Sequence, residues 1–162
     1  MKMTSLCYIE ENDAYLMMHR IKKKNDENAD KWIGIGGKFE AGESPEDCVL
    51  REIAEETGLV PRTLHYRGII TFVSDEYGTE YMHLFCAKNC TGELKKDCNE
   101  GVLTWVPKKK IPTLPLWEGD HLFLKLLDSD RPFFSLKLCY RGDHLTSAVL
   151  DGQKLDLPGR AL

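Results

Sequence analysis

The sequence predicts an α/β (α+β) sandwich in which a mixed β-sheet lies between helices, and three observations carry that expectation. Residues 45–57 have both a start and a stop signal for an amphipathic helix; short β-branched and aromatic runs recur on either side, most of them separated by turn residues; and a second stretch with helical periodicity covers residues 116–127. Helices interleaved with strands in this way pack on the faces of one sheet. The 162 residues contain no internal repeat, low-complexity tract or linker, so one domain spanning 1–162 is expected, with residues 151–162 as a loose tail.

The elements follow in order. Residues 4–9 and 14–20 are apolar-rich runs split by Glu10-Glu11-Asn12-Asp13, an antiparallel hairpin. Residues 21–31 read as a polar loop, and residues 32–39 as an extended segment punctuated by Gly34, Gly36 and Gly37. The first helix is defined by its ends. Ser44 supplies an N-cap hydroxyl, Pro45 suits the first helical position, and Glu46 and Asp47 put negative charge where the helix dipole favours it. Gly58 can take the left-handed conformation past the last turn, and Val60-Pro61 prevents further helix. Residues 64–73 and 80–87 flank Ser74-Asp75-Glu76-Tyr77-Gly78-Thr79 as a second hairpin, and residues 102–106 make another strand. Within 116–127, Leu122, Phe123, Leu126 and Leu127 fall at helical spacing, a helix for the opposite sheet face. Residues 133–140 and 145–150 around Arg141-Gly142-Asp143-His144 complete a last hairpin.

The chemistry is concentrated in residues 37–59, GKFEAGESPEDCVLREIAEETGL. Glu52, Glu55 and Glu56 are spaced i, i+3, i+4, so they share one arc of the helix beside Val49, Leu50 and Ile53. Like charges at these spacings cost about 0.2–0.5 kcal/mol per pair. A solvated face would account for such a triplet on its own. The preceding loop changes the reading, because Gly34, Gly36, Gly37 and Gly42 leave backbone uncovered and Glu43 stands just before the helix. Bare backbone beside carboxylates suits a metal ion and phosphate, and hard oxygen ligands select Mg²⁺ or Mn²⁺ over zinc.

Composition narrows the classes. Twenty-two Lys and Arg against 26 Asp and Glu give a net charge of −4, with 42% hydrophobic residues, so no global positive field draws in polymeric nucleic acid. Polymeric nucleic acid is not an expected partner. An acidic chain that takes a polyphosphate needs local cations, and Arg20, Lys22, Lys23, Lys24 and Lys38 are available; Lys22 to Lys24 and Lys108 to Lys110 read otherwise as solvated loops. The six cysteines show neither a C-x-x-C pair nor a framework spacing, which fits reduced thiols and a cytoplasmic location. No run approaches the roughly 18 apolar residues that a membrane span needs.

Residues 37–59 fit Gly-x5-Glu-x7-Arg-Glu-(apolar)-x-Glu-Glu-x-Gly-(apolar) at every specified position, and on that pattern the segment resembles the Nudix box. The likeness extends to the MutT-like oxidised-purine nucleoside triphosphatases through Trp32-Ile33-Gly34-Ile35-Gly36-Gly37-Lys38, through Glu100, and through Leu116-Trp117-Glu118-Gly119-Asp120. The resemblance implies a Nudix-type α/β/α sandwich and hydrolysis of a nucleoside diphosphate linked to another group, by attack of water on phosphorus with Mg²⁺ or Mn²⁺. It implies Gly36 (through its carbonyl), Glu52, Glu55, Glu56 and Glu100 as metal ligands, with Trp32, Trp117 and Asp120 around the base. Gly37, Lys38 and Arg20 are the further substrate-binding candidates. The pattern departs in two places: Ile33 stands where this group carries a base-reading asparagine, and a second acid near Asp120 is replaced by Gly119 or represented by Glu118.

Roles within the site follow from the chemistry. Glu56 or Glu55 is the expected general base and Glu52 chiefly a ligand, although neighbours on one helix face leave that division open. Arg51 either fixes an acid's rotamer or makes a surface ion pair; Glu43 either orients a ligand or the attacking water, or caps the helix. Trp117 and Trp32 are each a stacking platform or a core residue, and Asp120 is an acceptor for base N–H groups or an acid placed by the helix dipole. Cys48, His19 and His83 receive no role. The expected activity is hydrolysis of 8-oxo-dGTP or related oxidised purine nucleoside triphosphates to the monophosphate and pyrophosphate. The alternatives are the same chemistry on ADP-ribose, a dinucleoside polyphosphate or a capped nucleotide, and a non-catalytic nucleotide-sensing module.

Overall fold

The structure, a computed structural model, describes residues 1–96 and 98–157. Strands β1 (Lys2–Glu11) and β2 (Ala14–His19) turn through Asn12 and Asp13, both at positive φ (50° and 61°), in the two-residue loop that asparagine and aspartate tolerate. The other edge of β1 runs parallel to β6 (Gly78–Thr91). The N-terminal half of β1 pairs antiparallel with β4 (Ile35–Lys38), and β3 (Trp32–Ile33) pairs with the end of β2. The approach of β4 to β1 is close enough that a Cβ on Gly36 would lie 1.9 Å from the Ser5 carbonyl oxygen, so only glycine fits there.

Helix α1 (Pro45–Thr57) has the bounds its signals predict. Ser44 Oγ accepts from the Asp47 amide and Asp47 Oδ2 accepts from the Ser44 amide, both at 3.0 Å, closing a capping box, and Gly58 is left-handed at φ 78°. Its buried Val49 and Ile53 pack on Cys7, Ile9, Ile35 and Phe85.

Strand β5 (Val60–Ser74) and β6 form one long hairpin, longer at both ends than the expected runs, with a register shift between Tyr66 and Gly68. Pro61 is no obstacle so near the start of β5. Strand β7 (Val102–Pro107) pairs with β2, and a 3-10 helix that the sequence did not predict follows over Lys108–Thr113. Lys108 is correspondingly not a solvated loop residue. Its Nζ lies 2.5 Å from Glu10 and 3.2 Å from Asp128, above the Tyr15 ring.

Helix α2 (Asp120–Leu127) begins four residues later than the periodicity suggested. Leu116 and Trp117 fit the apolar stripe, but Gly119 offers no capping side chain, and its amide donates instead to the Tyr140 hydroxyl at 2.7 Å. Phe123 and Leu127 pack with Tyr8, Ile70 and Leu136 in a cluster separate from that under α1, so the two helices cover opposite faces. Strand β8 (Phe134–Arg141) runs parallel to β5, and β9 (His144–Leu150) and β10 (Gln153–Lys154) extend the sheet to the order β10-β9-β8-β5-β6-β1-β2-β3. The tail is therefore not loose throughout: Gln153 and Lys154 pair with β9 and Leu157 is buried, while residues 158–162 lie outside the described residues. All six cysteines are free thiols, and among the described residues no helix is long and apolar enough to cross a membrane.

Candidate active site

Glu52, Glu55 and Glu56 occupy different environments despite sharing one face of α1. Glu56 is largely buried and its Oε2 has no hydrogen-bond partner. Burial, then the charges of Glu52 and Glu100, raise its pKa to about 9, against a small opposing effect from the Gly36 backbone. These surroundings favour the protonated form of Glu56, which shares a hydrogen bond with Glu52. Glu52 accepts from Arg51 Nη1 at 2.7 Å, whereas Glu55 is mostly exposed, with 3.3 Å to the same nitrogen.

Arg51 ties this face to the preceding loop. Its Nε donates to Glu43 Oε2 at 2.7 Å and its Nη2 to Glu43 Oε1 at 2.9 Å, and Nη2 also reaches the Lys38 carbonyl at 3.0 Å. Arg51, and then the Glu40 amide, hold Glu43 down at about 2. The helix is capped by Ser44 and Asp47, so Glu43 is an anchor for the loop. The guanidinium in turn meets acids on two elements, a fork geometry that lysine lacks.

Close packing brings backbone to these acids. A Cβ on Gly37 would stand 2.6 Å from the Glu52 carboxylate, so the missing side chain leaves the carboxylate against bare main chain. Glu100 comes to the same region from the loop before β7, where Arg20 Nη1 donates to its Oε2 at 3.0 Å. Arg20 also grips Asp26 at 2.7 Å, so this cation is already engaged by two protein carboxylates.

A cavity of about 760 Å³ joins these groups to an aromatic wall. Gly36, Gly37, Lys38, Glu52, Glu56 and Glu100 line one part of it; Ile33, Phe72, Trp117 and Asp120 line another. Trp117 is buried, edge-on to Phe72 at 5.2 Å and Tyr140 at 5.1 Å, with its Nε1 donating to Asn28 at 2.8 Å and Lys31 Nζ 4.4 Å from its ring centre. Trp32 is placed elsewhere: its ring lies parallel to that of His19 at 4.5 Å and is not part of the cavity lining. Asp120 is buried, its carboxyl makes no hydrogen bond among the described residues, and burial raises its pKa to about 8 against the charge of Lys31. It faces the cavity as a neutral acid at pH 7, able to donate as well as accept.

The donors fit a magnesium-like ion. They are hard oxygens, one of them an orphaned buried carboxylate oxygen at Glu56, and Gly37 leaves room beside Glu52. Among the described residues no three acidic, histidine or cysteine side chains converge as a finished metal cage. Gly36, Glu52, Glu56 and Glu100 all line this cavity and are the oxygen donors such an ion would meet, with Glu55 at the exposed margin.

Sequence reasoning missed Asn28, Phe72, Glu80 and Thr4 as cavity residues. Phe72 is legible as an alternating strand residue, but which sheet face lines the cavity is not. Asn28 lay in a loop without periodicity.

Comparison with known proteins adds an independent line. A family profile for the NUDIX domain matches residues 2–127. The chain is 39% identical over 114 residues to an oxidized purine nucleoside triphosphate hydrolase of Danio rerio, covering 68% of this chain and 71% of the relative. It is 32% identical over 125 residues to YvcI, an uncharacterized Nudix hydrolase of Bacillus subtilis, covering 75% of each chain. The crystal structure of a MutT mutator protein from Bacillus halodurans superposes with a TM-score of 0.81 at 31% identity, covering 94% of this chain and 99% of that one.

Proposed function

The chain belongs to the Nudix hydrolase family and acts on pyrophosphate bonds, and from that premise we propose that it hydrolyses 8-oxo-dGTP and related oxidised purine nucleoside triphosphates to the monophosphate and pyrophosphate. One observation carries the reading: the buried, unpartnered Asp120 carboxyl beside Trp117 opens into the same cavity as the Glu52–Glu56 pair. A purine against the aromatic wall presents its polar edge to Asp120, and its phosphates extend toward Gly37 and Lys38. The likeness to the Danio rerio hydrolase supports the same substrate class.

Glu52, Glu56, Glu100 and the Gly36 carbonyl would hold the divalent ion on which such hydrolases typically depend. A bound Mg²⁺ or Mn²⁺ supplies the positive charge that offsets the phosphate oxygens and lowers the pKa of water. Glu56 would give up its proton on engaging such an ion. Glu55, more exposed and steadied by Arg51, accepts the proton of the attacking water, and Arg51 and Glu43 keep the loop and helix in register so that distances at phosphorus stay fixed.

Ile33, an apolar residue in the cavity lining, supports a second reading in which the base is held by shape and the substrate is ADP-ribose or a dinucleoside polyphosphate. Incubation with Mg²⁺ and 8-oxo-dGTP, dGTP and ADP-ribose, followed by product identification, separates the two. Pyrophosphate released from 8-oxo-dGTP in clear preference to the others supports the first; equal or faster turnover of ADP-ribose removes it.

A further inference from the structure

The cavity has another polar wall that neither the phosphate chemistry nor the base reading uses. Glu80 lies opposite Phe72 in the β5–β6 ladder and beside Lys2 in the β1–β6 ladder. Strand alternation puts its side chain on the same sheet face as Met82, Phe72 and Thr4, all of which line the cavity. Thr4 Oγ1 donates to Glu80 Oε2 at 2.7 Å, and this is the one hydrogen bond the Glu80 carboxyl makes among the described residues. Burial raises the pKa of the group even though Thr4 and the charges of Lys2 and Lys38 oppose the rise.

Its place between the two ends of the cavity identifies what it meets. On one side Phe72 leads to Trp117, 5.2 Å away, and to Asp120. On the other, Thr4 is paired across β1 and β4 with Lys38, next to Gly37 and the carboxylates of α1. In a nucleotide the group that joins base to phosphate is the sugar, and its polar atoms are hydroxyls. We propose that Glu80, steadied by Thr4, accepts a hydrogen bond from a sugar hydroxyl of the bound nucleotide and makes hydrolysis depend on that hydroxyl. The inference rests on the nucleoside triphosphate reading above and deepens it.

The experiment measures kcat/KM for 8-oxo-GTP, 8-oxo-dGTP and the 2′,3′-dideoxy counterpart with the wild-type protein, Glu80→Leu and the milder Glu80→Gln. Ratios between sugars within one protein cancel any loss of folded fraction. In the wild type, removal of the hydroxyl that faces Glu80 lowers kcat/KM about ten- to hundredfold, the value of a hydrogen bond to a charged group. A drop at the first step marks the 2′-hydroxyl, and a drop only at the second marks the 3′-hydroxyl. In Glu80→Leu the three substrates become equivalent to within about threefold, with Glu80→Gln between, as a neutral acceptor of weaker strength requires. Sugar ratios that are flat in the wild type, or unchanged in both variants, overturn the role of Glu80 and leave the triphosphate reading standing. A wild-type protein that turns over none of the three removes both.

Discussion

Arg51 grips both carboxylate oxygens of Glu43, at 2.7 and 2.9 Å, and with its remaining nitrogen holds Glu52 at 2.7 Å. One guanidinium thus fixes the loop that precedes α1 against the helix that carries the acids. Substitution Arg51→Lys keeps the charge but not the fork, so kcat is expected to fall at least about tenfold while the nucleotide KM changes little. Steady-state kinetics on 8-oxo-dGTP checks this; a variant with unaltered kcat contradicts the positioning role.

The same pair has a signature in stability against pH. Glu43 is held at about 2, below the roughly 4.3 of an unfolded glutamate, so its contribution is fully present above pH 4.3 and is lost as pH falls toward 2. Melting temperatures of wild type and Glu43→Gln are expected to differ at pH 6 and to converge between about pH 4.3 and 2. A gap that persists at pH 2 points to lost packing in place of a lost ion pair.

Asp120 behaves in the opposite sense. Its folded pKa of about 8 lies above the unfolded value near 3.9, so the unfolded state releases its proton first and folding loses stability as pH rises from about 4 to 8. Substitution Asp120→Asn removes that cost: the variant is expected to match wild type at pH 4 and to be more stable by on the order of 5 kcal/mol at pH 8. Chemical denaturation at the two pH values reads the difference. The variant should also lose selectivity among purine triphosphates, and an equal loss toward every nucleotide would count against base recognition.

How much of this was legible in the sequence depends on the range of the interaction. Helix α1 was fixed by contacts within three or four residues, Ser44 with Asp47 and Gly58 with Ala54, and its ends came out as read. The start of α2 was misread because Leu116 and Trp117 continue its apolar stripe, and nothing local reveals that Tyr140, 21 residues on, takes the Gly119 amide. The loop at residues 21–31 carried no pattern, yet its Asn28 meets Trp117 across 89 positions and its Asp26 holds Arg20. The two tryptophans looked alike in sequence; partners decided which of them lines the cavity, His19 occupying one face of Trp32.

Gly37 offers a test of crowding at the acids. A methyl group there would meet both Glu52 oxygens at 2.6 and 2.8 Å, and the flexible carboxylate must swing away. Because a displacement of about 1 Å in such a site costs on the order of a hundredfold, Gly37→Ala is expected to lose activity to that degree. Its melting temperature should stay within a few degrees of wild type. Activity within threefold of wild type would show that Glu52 need not stand where it does.

The central claim is that the Glu52–Glu56 pair receives the divalent ion, and proton release on metal binding tests it most directly. Titration calorimetry with Mn²⁺ at pH 7, in buffers of different ionisation enthalpy, counts the protons displaced. Since burial beside Glu52 and Glu100 favours the protonated form of Glu56, wild type and Glu55→Gln are expected to release about one proton per ion, and Glu56→Gln essentially none. Binding with no proton release in the wild type, or the same release in Glu56→Gln, would contradict the account.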